Sequence, residues 1–241
     1  MDDPTAPFEF LGLTFDWGTI LSTLLAMAIV VIVSVVLTRR PTVRPGKRQN
    51  VIEYLLDFTN GIVDGQLQKK QARQFGLYAF TLFFFVVVSN EMGLLLQLQG
   101  TDGVTYIKSP TASPIVTMTL AIMSLMVAHG MGVQKLGFKG YLKNMLLTPY
   151  SWMLPLNIIE QLANFLTLSL RLFGNIFAGE MLLTLVANSL AWPGHLNGFV
   201  TVLALPIEMV WQGFSLFIGG IQAYVFVILT GVFIAQLSGD E

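Results

Sequence analysis

The chain contains no cysteine. Disulfides, thiolate zinc sites and iron–sulfur clusters are therefore excluded. Two histidines are too few for a His-rich metal site, and no metal or organic cofactor is expected. Charge is scarce as well. Asp, Glu, Lys and Arg supply 11% of the 241 residues, where a soluble domain carries about 25%. The net charge of −1 gives nucleic acid nothing to bind. There is no Gly-x-x-x-x-Gly-Lys-Ser/Thr loop to cradle nucleotide phosphates, no Gly-x-Ser-x-Gly elbow and no His-Glu-x-x-His pair. A catalytic centre is therefore not expected. The first sixteen residues carry Asp2, Asp3, Glu9 and Asp16 but no Lys or Arg, which is unlike the basic start of a signal peptide. No internal repeat or low-complexity tract is visible.

What the chain has in abundance is apolar sequence: 54% of residues, with a mean hydropathy of +0.69. Stretches of about 20 such residues cross a bilayer as helices, so the class is an all-α polytopic membrane protein with a single membrane domain, 1–241. Residues 1–17 form a first segment and 18–38 the first span, closed by Arg39 and Arg40. Residues 50–68 differ: Glu53, Asp57, Asn60 and Asp64 are spaced 4, 3 and 4, one narrow stripe of a helix that is otherwise apolar. That pattern predicts an amphipathic helix at the interface or against a partner helix. The second span is 75–96, followed by a loop, 97–112, with Gly100 to Gly103 as turn signals. Ser113-Pro114 opens the third span, 113–133, as an N-cap followed by proline at the first helical position. A basic segment, 134–153, follows.

Two nearly 40-residue apolar stretches complete the chain, 154–190 and 198–237. Each is either a tight two-span hairpin or one long helix tilted across the membrane. Neither has a polar turn at its midpoint, which favours tilted helices joined near Trp192 to Asn197. The fold is thus read as three roughly upright spans, an interfacial helix and two long tilted C-terminal helices.

Orientation follows from the basic residues. Arg39, Arg40, Arg44, Lys47, Arg48, Lys69, Lys70 and Arg73 lie between the first two spans, and Lys135, Lys139 and Lys143 after the third. If the spans alternate, these eleven of the thirteen Lys and Arg share one side. That side is then cytoplasmic, with the N-terminus outside and the C-terminus inside. Lys108 is outside, and Arg171 lies within the membrane.

Arg171 is the most informative residue. Its guanidinium cannot shed its proton to escape lipid. Insertion scales place the cost at roughly 2.5–3.5 kcal/mol at a helix centre, so an intramembrane Arg marks a functional site. On a helical wheel Glu160, Asn164, Thr167, Arg171, Asn175 and Ala178 form one face that is polar or small throughout. Glu180, nine residues beyond Arg171, turns to the opposite side. The last helix carries a second such face: Glu208, Gln212, Ser215, Gly219 and Gln222. Two antiparallel helices can bring the faces together by interhelical hydrogen bonds. No acidic residue lies within a turn of Arg171, so its counter-ion is expected on another chain. Opposite a mobile partner carboxylate, the Arg favours the ionised form, and the carboxylate must be protonated where it faces lipid. Polar groups towards the outside (Asn90, Glu91, Glu180, His195) and the inside (Glu160, Asn164, His129) are candidates for proton access. Of these, Glu91 and His195 read as solvated groups at loop ends, and His129 as a structural or interfacial histidine.

The run Ser169-Leu-Arg171-Leu-Phe-Gly174-Asn175-Ile-Phe-Ala-Gly179-Glu180 resembles the signature of subunit a of F-type ATP synthase of the bacterial type. Ile221-Gln222-Ala223-Tyr224-Val-Phe226 resembles the family's last-helix motif. Leu156 to Ala163, Ser89-Asn90 and Ser109 to Ala112 resemble shorter ones. The resemblance covers nearly the whole chain. It implies a non-catalytic, proton-conducting stator in a bacterial plasma membrane, clasping a ring of c subunits and assembling with subunit b of the peripheral stalk and the other synthase subunits. By motif position, Arg171 is the essential arginine facing the ring carboxylate, with Asn175 and Gln222 beside it. Asn90 and Glu180 line the outer half-channel and Glu160 the inner one. Many members carry Glu or His seven residues before the glutamine; this chain has Ser215 there, where held water is the expected substitute. The competing reading is a secondary transporter with Arg171 in a site for an anionic substrate; the lack of an inverted repeat speaks against it. A third class, an intramembrane hydrolase, lacks its motifs.

Overall fold

The computed structural model describes residues 7–10, 13–39, 46–95, 98–99, 105–147, 152, 154–190 and 198–239. Helices dominate: α1 (Trp17–Thr38), α2 (Lys47–Asp64), α3 (Lys69–Leu95), α4 (Pro114–Leu147), α5 (Leu154–Leu190) and α6 (Gly198–Leu237). Five of them, all but α2, are long and apolar enough to cross a membrane. The all-α polytopic class therefore holds.

α1 begins where Asp16 caps it. The carboxylate accepts from the backbone N–H of Gly18 (3.0 Å) and Thr19 (3.3 Å) and from the Thr19 hydroxyl (2.7 Å). These occupy donors that a helix start leaves unpaired. Two antiparallel hairpins stand at this end of the molecule, β1 (Pro7–Phe10) with β2 (Leu13–Asp16), and β3 (Leu98–Gln99) with β4 (Thr105–Ile107). The sequence reading treated both stretches as irregular. They are tied together: Lys108 Nζ pairs with Asp16 Oδ2 at 2.6 Å, and the Lys108 backbone N–H donates to Ser22 Oγ at 3.1 Å.

Burial alone raises the Asp16 carboxyl, but the opposing effects of Lys108, Thr19 and the Gly18 N–H leave it below its usual value of 3.8. A depressed carboxylate contributes stability above its unfolded value, and that contribution disappears as pH falls through the folded one. Asp16→Asn should therefore loosen the Lys108 segment at neutral pH by no more than about 1 kcal/mol. Limited proteolysis between residues 97 and 108 should detect it. Wild type and variant should converge in strongly acid solution.

α2 buries Ile52, Thr59 and Val63, while Asp57, Asn60 and Asp64 lie exposed and Glu53 is half-buried. The acidic stripe thus points away from the apolar seam. Phe58 bridges to α3 through Phe83 (5.6 Å) and to α6 through Tyr224 (6.0 Å between ring centroids). So α2 is bound to the bundle as well as amphipathic.

The basic stretch after Val133 was read as a connecting segment. It is helical as far as Leu147, and α4 bends at Gly137, whose φ of 69° suits a residue without a Cβ. His129 lies just before this bend. Its Nδ1 is 2.6 Å from the Tyr141 hydroxyl, and that hydroxyl is 2.8 Å from Met145 Sδ. His129 therefore braces the two halves of α4.

α5 and α6 are each one continuous helix of 37 and 40 residues. At 1.5 Å per residue they are about 55–60 Å long, well beyond the thickness of a hydrocarbon core. The turn expected near Trp192 to Asn197 lies outside the described residues. Leu168, Leu172 and Ile176, spaced by four, are the buried face of α5, and Ala223, Phe226, Val227 and Ile234 that of α6. They join Phe75, Ala79, Leu82 and Val86 of α3 and Ala121, Leu125 and Ala128 of α4 in one core.

Candidate functional site

Because Leu168, Leu172 and Ile176 face inwards, the polar stripe of α5 faces out. Glu160, Thr167, Arg171, Asn175 and Ala178 are all exposed, and Asn164 is half-buried. Arg171 has no ion-pair or hydrogen-bond partner among the described residues. It stands in the middle of α5, on a lateral surface with Leu170 48% exposed beside it and Phe177 39% exposed below. On a membrane-spanning helix that surface meets lipid or another chain.

The two polar faces were expected to lie against each other. They are joined by a hydrogen bond. Asn175 Nδ2 donates to Gln222 Oε1 at 2.7 Å. Gln222 is buried, so this bond fixes the crossing of α5 and α6 one turn from Arg171. Interhelical hydrogen bonds of this kind are worth about 0.6 kcal/mol on average. The wheel cannot foresee the divergence, because α6 buries Ser215, Gly219 and Gln222 against the interior while α5 turns its stripe outwards. The Glu208 side chain and His195 lie outside what the structure describes.

Beyond Asn175 the two helices part around a cleft of about 300 Å³. Asn175, Gly179, Trp211 and Ser215 line it, among apolar neighbours. Gly179 faces Ser215 across it. A Cβ there would come within 3.6 Å of Ser215 Oγ.

Glu180 does turn away from Arg171, as the wheel requires. Its Oε1 accepts from the Ser109 backbone N–H at 3.2 Å. This draws in the 3-10 turn Pro110–Ala112, between β4 and α4. Ser109 Oγ donates to the Ser89 carbonyl (2.8 Å) and lies 2.8 Å from Thr111 Oγ1. Thr111 in turn donates to Asn90 Oδ1 (2.7 Å), and Asn90 Nδ2 donates to the Gly219 carbonyl (2.9 Å). Asn90, Ser109 and Thr111 are fully buried. The chain of bonds therefore runs from Glu180 on α5, through the turn, to Asn90 on α3 and Gly219 on α6. Gly93 permits the convergence, since a Cβ there would collide with Glu180 Oε1 and with Ser109.

Ser89, Ser109 and Thr111 were not singled out as site residues. Their only signal was the likeness of two short motifs, which has no direction in space. Glu160, by contrast, stands far along α5, exposed and apart from this network.

Residues 20–235 match the model of the family described as "ATP synthase A chain". The chain belongs to this family. It is 45% identical over 234 residues to ATP synthase subunit a of Pediococcus pentosaceus, covering 97% of each chain. It is 46% identical over 236 residues to that of Enterococcus hirae, covering 98% of each. With that of Listeria monocytogenes it shares 43% identity over the full length of both. Family membership sets aside the transporter and hydrolase alternatives. It also makes the outward-facing Arg171 the natural place to look for the family's shared chemistry.

Proposed function

We propose that the chain is the proton-conducting stator subunit of an ATP synthase membrane sector, without a catalytic centre of its own. The observation that carries this reading is Arg171: a permanent cation in the middle of a membrane-length helix, exposed sideways and unpaired among the described residues. Such a charge is stable in the membrane only opposite an anion or water. A carboxylate on each c subunit of a rotating ring is the partner of matching chemistry. The exposed stripe of α5 would lie along the ring, and the Asn175–Gln222 bond would hold it in place.

Protons would reach the ring by two offset half-channels. The one at the end bearing the hairpins would pass Asn90, Glu180, the α5–α6 cleft and Ser215. The other would run along the opposite half of the α5 stripe, past Asn164 and Glu160. Arg171 stands between them and would block direct passage. A ring carboxylate would be ionised opposite Arg171 and protonated against lipid, so proton flow would require rotation. Subunit b, the peripheral stalk and the remaining synthase subunits would complete the assembly.

The end carrying Lys47, Lys69, Lys70, Lys139 and Lys143 would face the cytoplasm of a bacterium, and the hairpins the outside. The absence of cysteine makes the test direct. Lys70→Cys should be labelled by a membrane-impermeant thiol reagent in inverted vesicles and not in intact cells. Labelling from outside would reverse the orientation and exchange the two half-channels. The function itself is tested by copurification with the ring and by the Arg171 variants described below.

A further inference from the structure

Glu91 was read as a solvated group at a loop end. It instead lies within α3, half-buried, next to the fully buried Asn90. Its Oε2 is buried and accepts no hydrogen bond from a described residue. Its Oε1 lies against α6 at Gly219, where an added Cβ would be 2.7 Å away. A Cβ there would displace the carboxyl group from its present place. A buried polar atom without a protein partner calls for an explanation. Packing is a poor one here, because an apolar side chain of the same size would fill the space without leaving an acceptor unpaired.

The surroundings supply a better one. Gly219 follows Ser215 by four residues, one turn along the same face of α6. Ser215 lines the α5–α6 cleft and packs on Gly179, which adjoins Glu180. On its other side Glu91 adjoins the network in which Asn90, Thr111, Ser109 and Glu180 are bonded. Two carboxyl groups, Glu91 from α3 and Glu180 from α5, thus flank one polar junction. Ser215, the cleft side chain between them, has no accessible titration.

We propose that Glu91 is a further proton-carrying residue of this half-channel, placed at Gly219 to pass protons between water at the hairpin end and the cleft at Ser215. The inference rests on the half-channel reading above. A hydrated proton bonds to a Glu91 carboxylate oxygen and yields the neutral acid. The acid then releases that proton to water in the cleft, on the way to Glu180 and the ring, and the carboxylate returns. The reverse order serves the reverse flow.

The test is passive proton uptake by membranes that hold the assembled sector but are stripped of the catalytic sector, with assembly checked by copurification of the ring. Glu91→Gln keeps the size and polarity and should slow uptake by about 10²-fold or more, as expected for loss of an obligatory proton-transfer group. Glu91→Asp should retain much of the flux. A second carboxyl supplied by Ser215→Glu should restore uptake in the Glu91→Gln background, which no structural role would do. If Glu91→Gln fails to assemble, Glu91→Ser is measured in its place. Loss of assembly in both would make the group structural and overturn the proposal. Normal uptake in an assembled Glu91→Gln sector, or no rescue by Ser215→Glu, would overturn it as well. Glu180→Gln separates the two levels. If it slows uptake while Glu91→Gln does not, only the role of Glu91 falls; if neither slows uptake, the half-channel reading falls with it.

Discussion

Replacing Arg171 by Ala or Gln should abolish coupled ATP synthesis while the subunit still assembles. Arg171 makes no bond to a described residue that its removal would break, and the buried face of α5 is made by Leu168, Leu172 and Ile176. The fold therefore has no reason to suffer. Removing the cation in fact relieves a cost of roughly 2.5–3.5 kcal/mol for a charge at membrane depth. Lys should fail largely too. An ammonium is compact and strongly hydrated, can lose its proton when buried, and lacks the planar fork that matches a carboxylate. With the fixed charge gone, protons would be free to cross between the proposed half-channels without ring rotation, so the Ala variant should leak passively. ATP synthesis in energised vesicles and proton uptake in stripped membranes measure the two effects. Near-normal synthesis in Arg171→Ala would defeat the central proposal.

The second large effect is expected at Glu180. Its carboxylate accepts from the Ser109 N–H and its neighbour Gly179 lines the cleft, so it stands where the proposed half-channel would need a proton-transfer group. Glu180→Gln should slow passive proton uptake by about 10²–10⁴-fold if the step is obligatory. The Gln side chain can still accept from the Ser109 N–H through its amide oxygen, so assembly should persist. Ser215→Ala should cost far less, because a hydroxyl does not titrate in the accessible range. Ser215→His places an imidazole with an ordinary pKa of about 6.5 beside the cleft. As pH falls through that value the imidazole becomes cationic, so uptake should depend more steeply on pH between about 6 and 7 than in the wild type. Indifference to Glu180→Gln, with assembly intact, would remove Glu180 from the path.

How the chain arranges these groups was only partly legible in its residues. The number of membrane-length helices, the amphipathic character of α2 and the singular position of Arg171 all follow from short-range rules. Each depends on one helix and its solvent: how many apolar residues cross a bilayer, which positions share a face, what a guanidinium costs in lipid. The family signature lies in the same local class. So does the turning of Glu180 away from Arg171, a matter of nine residues at 100° each.

Relations between helices were not legible in the same way. The two polar faces of α5 and α6 look alike on a wheel, yet the α5 stripe is largely exposed while Ser215, Gly219 and Gln222 of α6 are buried, with a hydrogen bond between Asn175 and Gln222. A wheel gives the angle between residues on one helix but not the rotation of that helix against its neighbours. That rotation is set by packing, here by Leu168, Leu172 and Ile176 going into the core and by glycines at 93 and 219 allowing close approach. The same holds for Glu91. Five residues from the end of the 75–96 span it reads as a solvated end group, and the passage of α6 beside it, with Gly219 opposite, buries its carboxyl. Ser109 and Thr111 gained their place in the site from the fold of a connecting turn about 20 residues away in sequence from Ser89 and about 70 from Glu180. The residues determined that this is a membrane protein with a lone arginine in the middle of a membrane-length helix. The packing of α3, α5 and α6 decided which polar groups meet, because the rotation of each helix is set where separate helices compete for the same space.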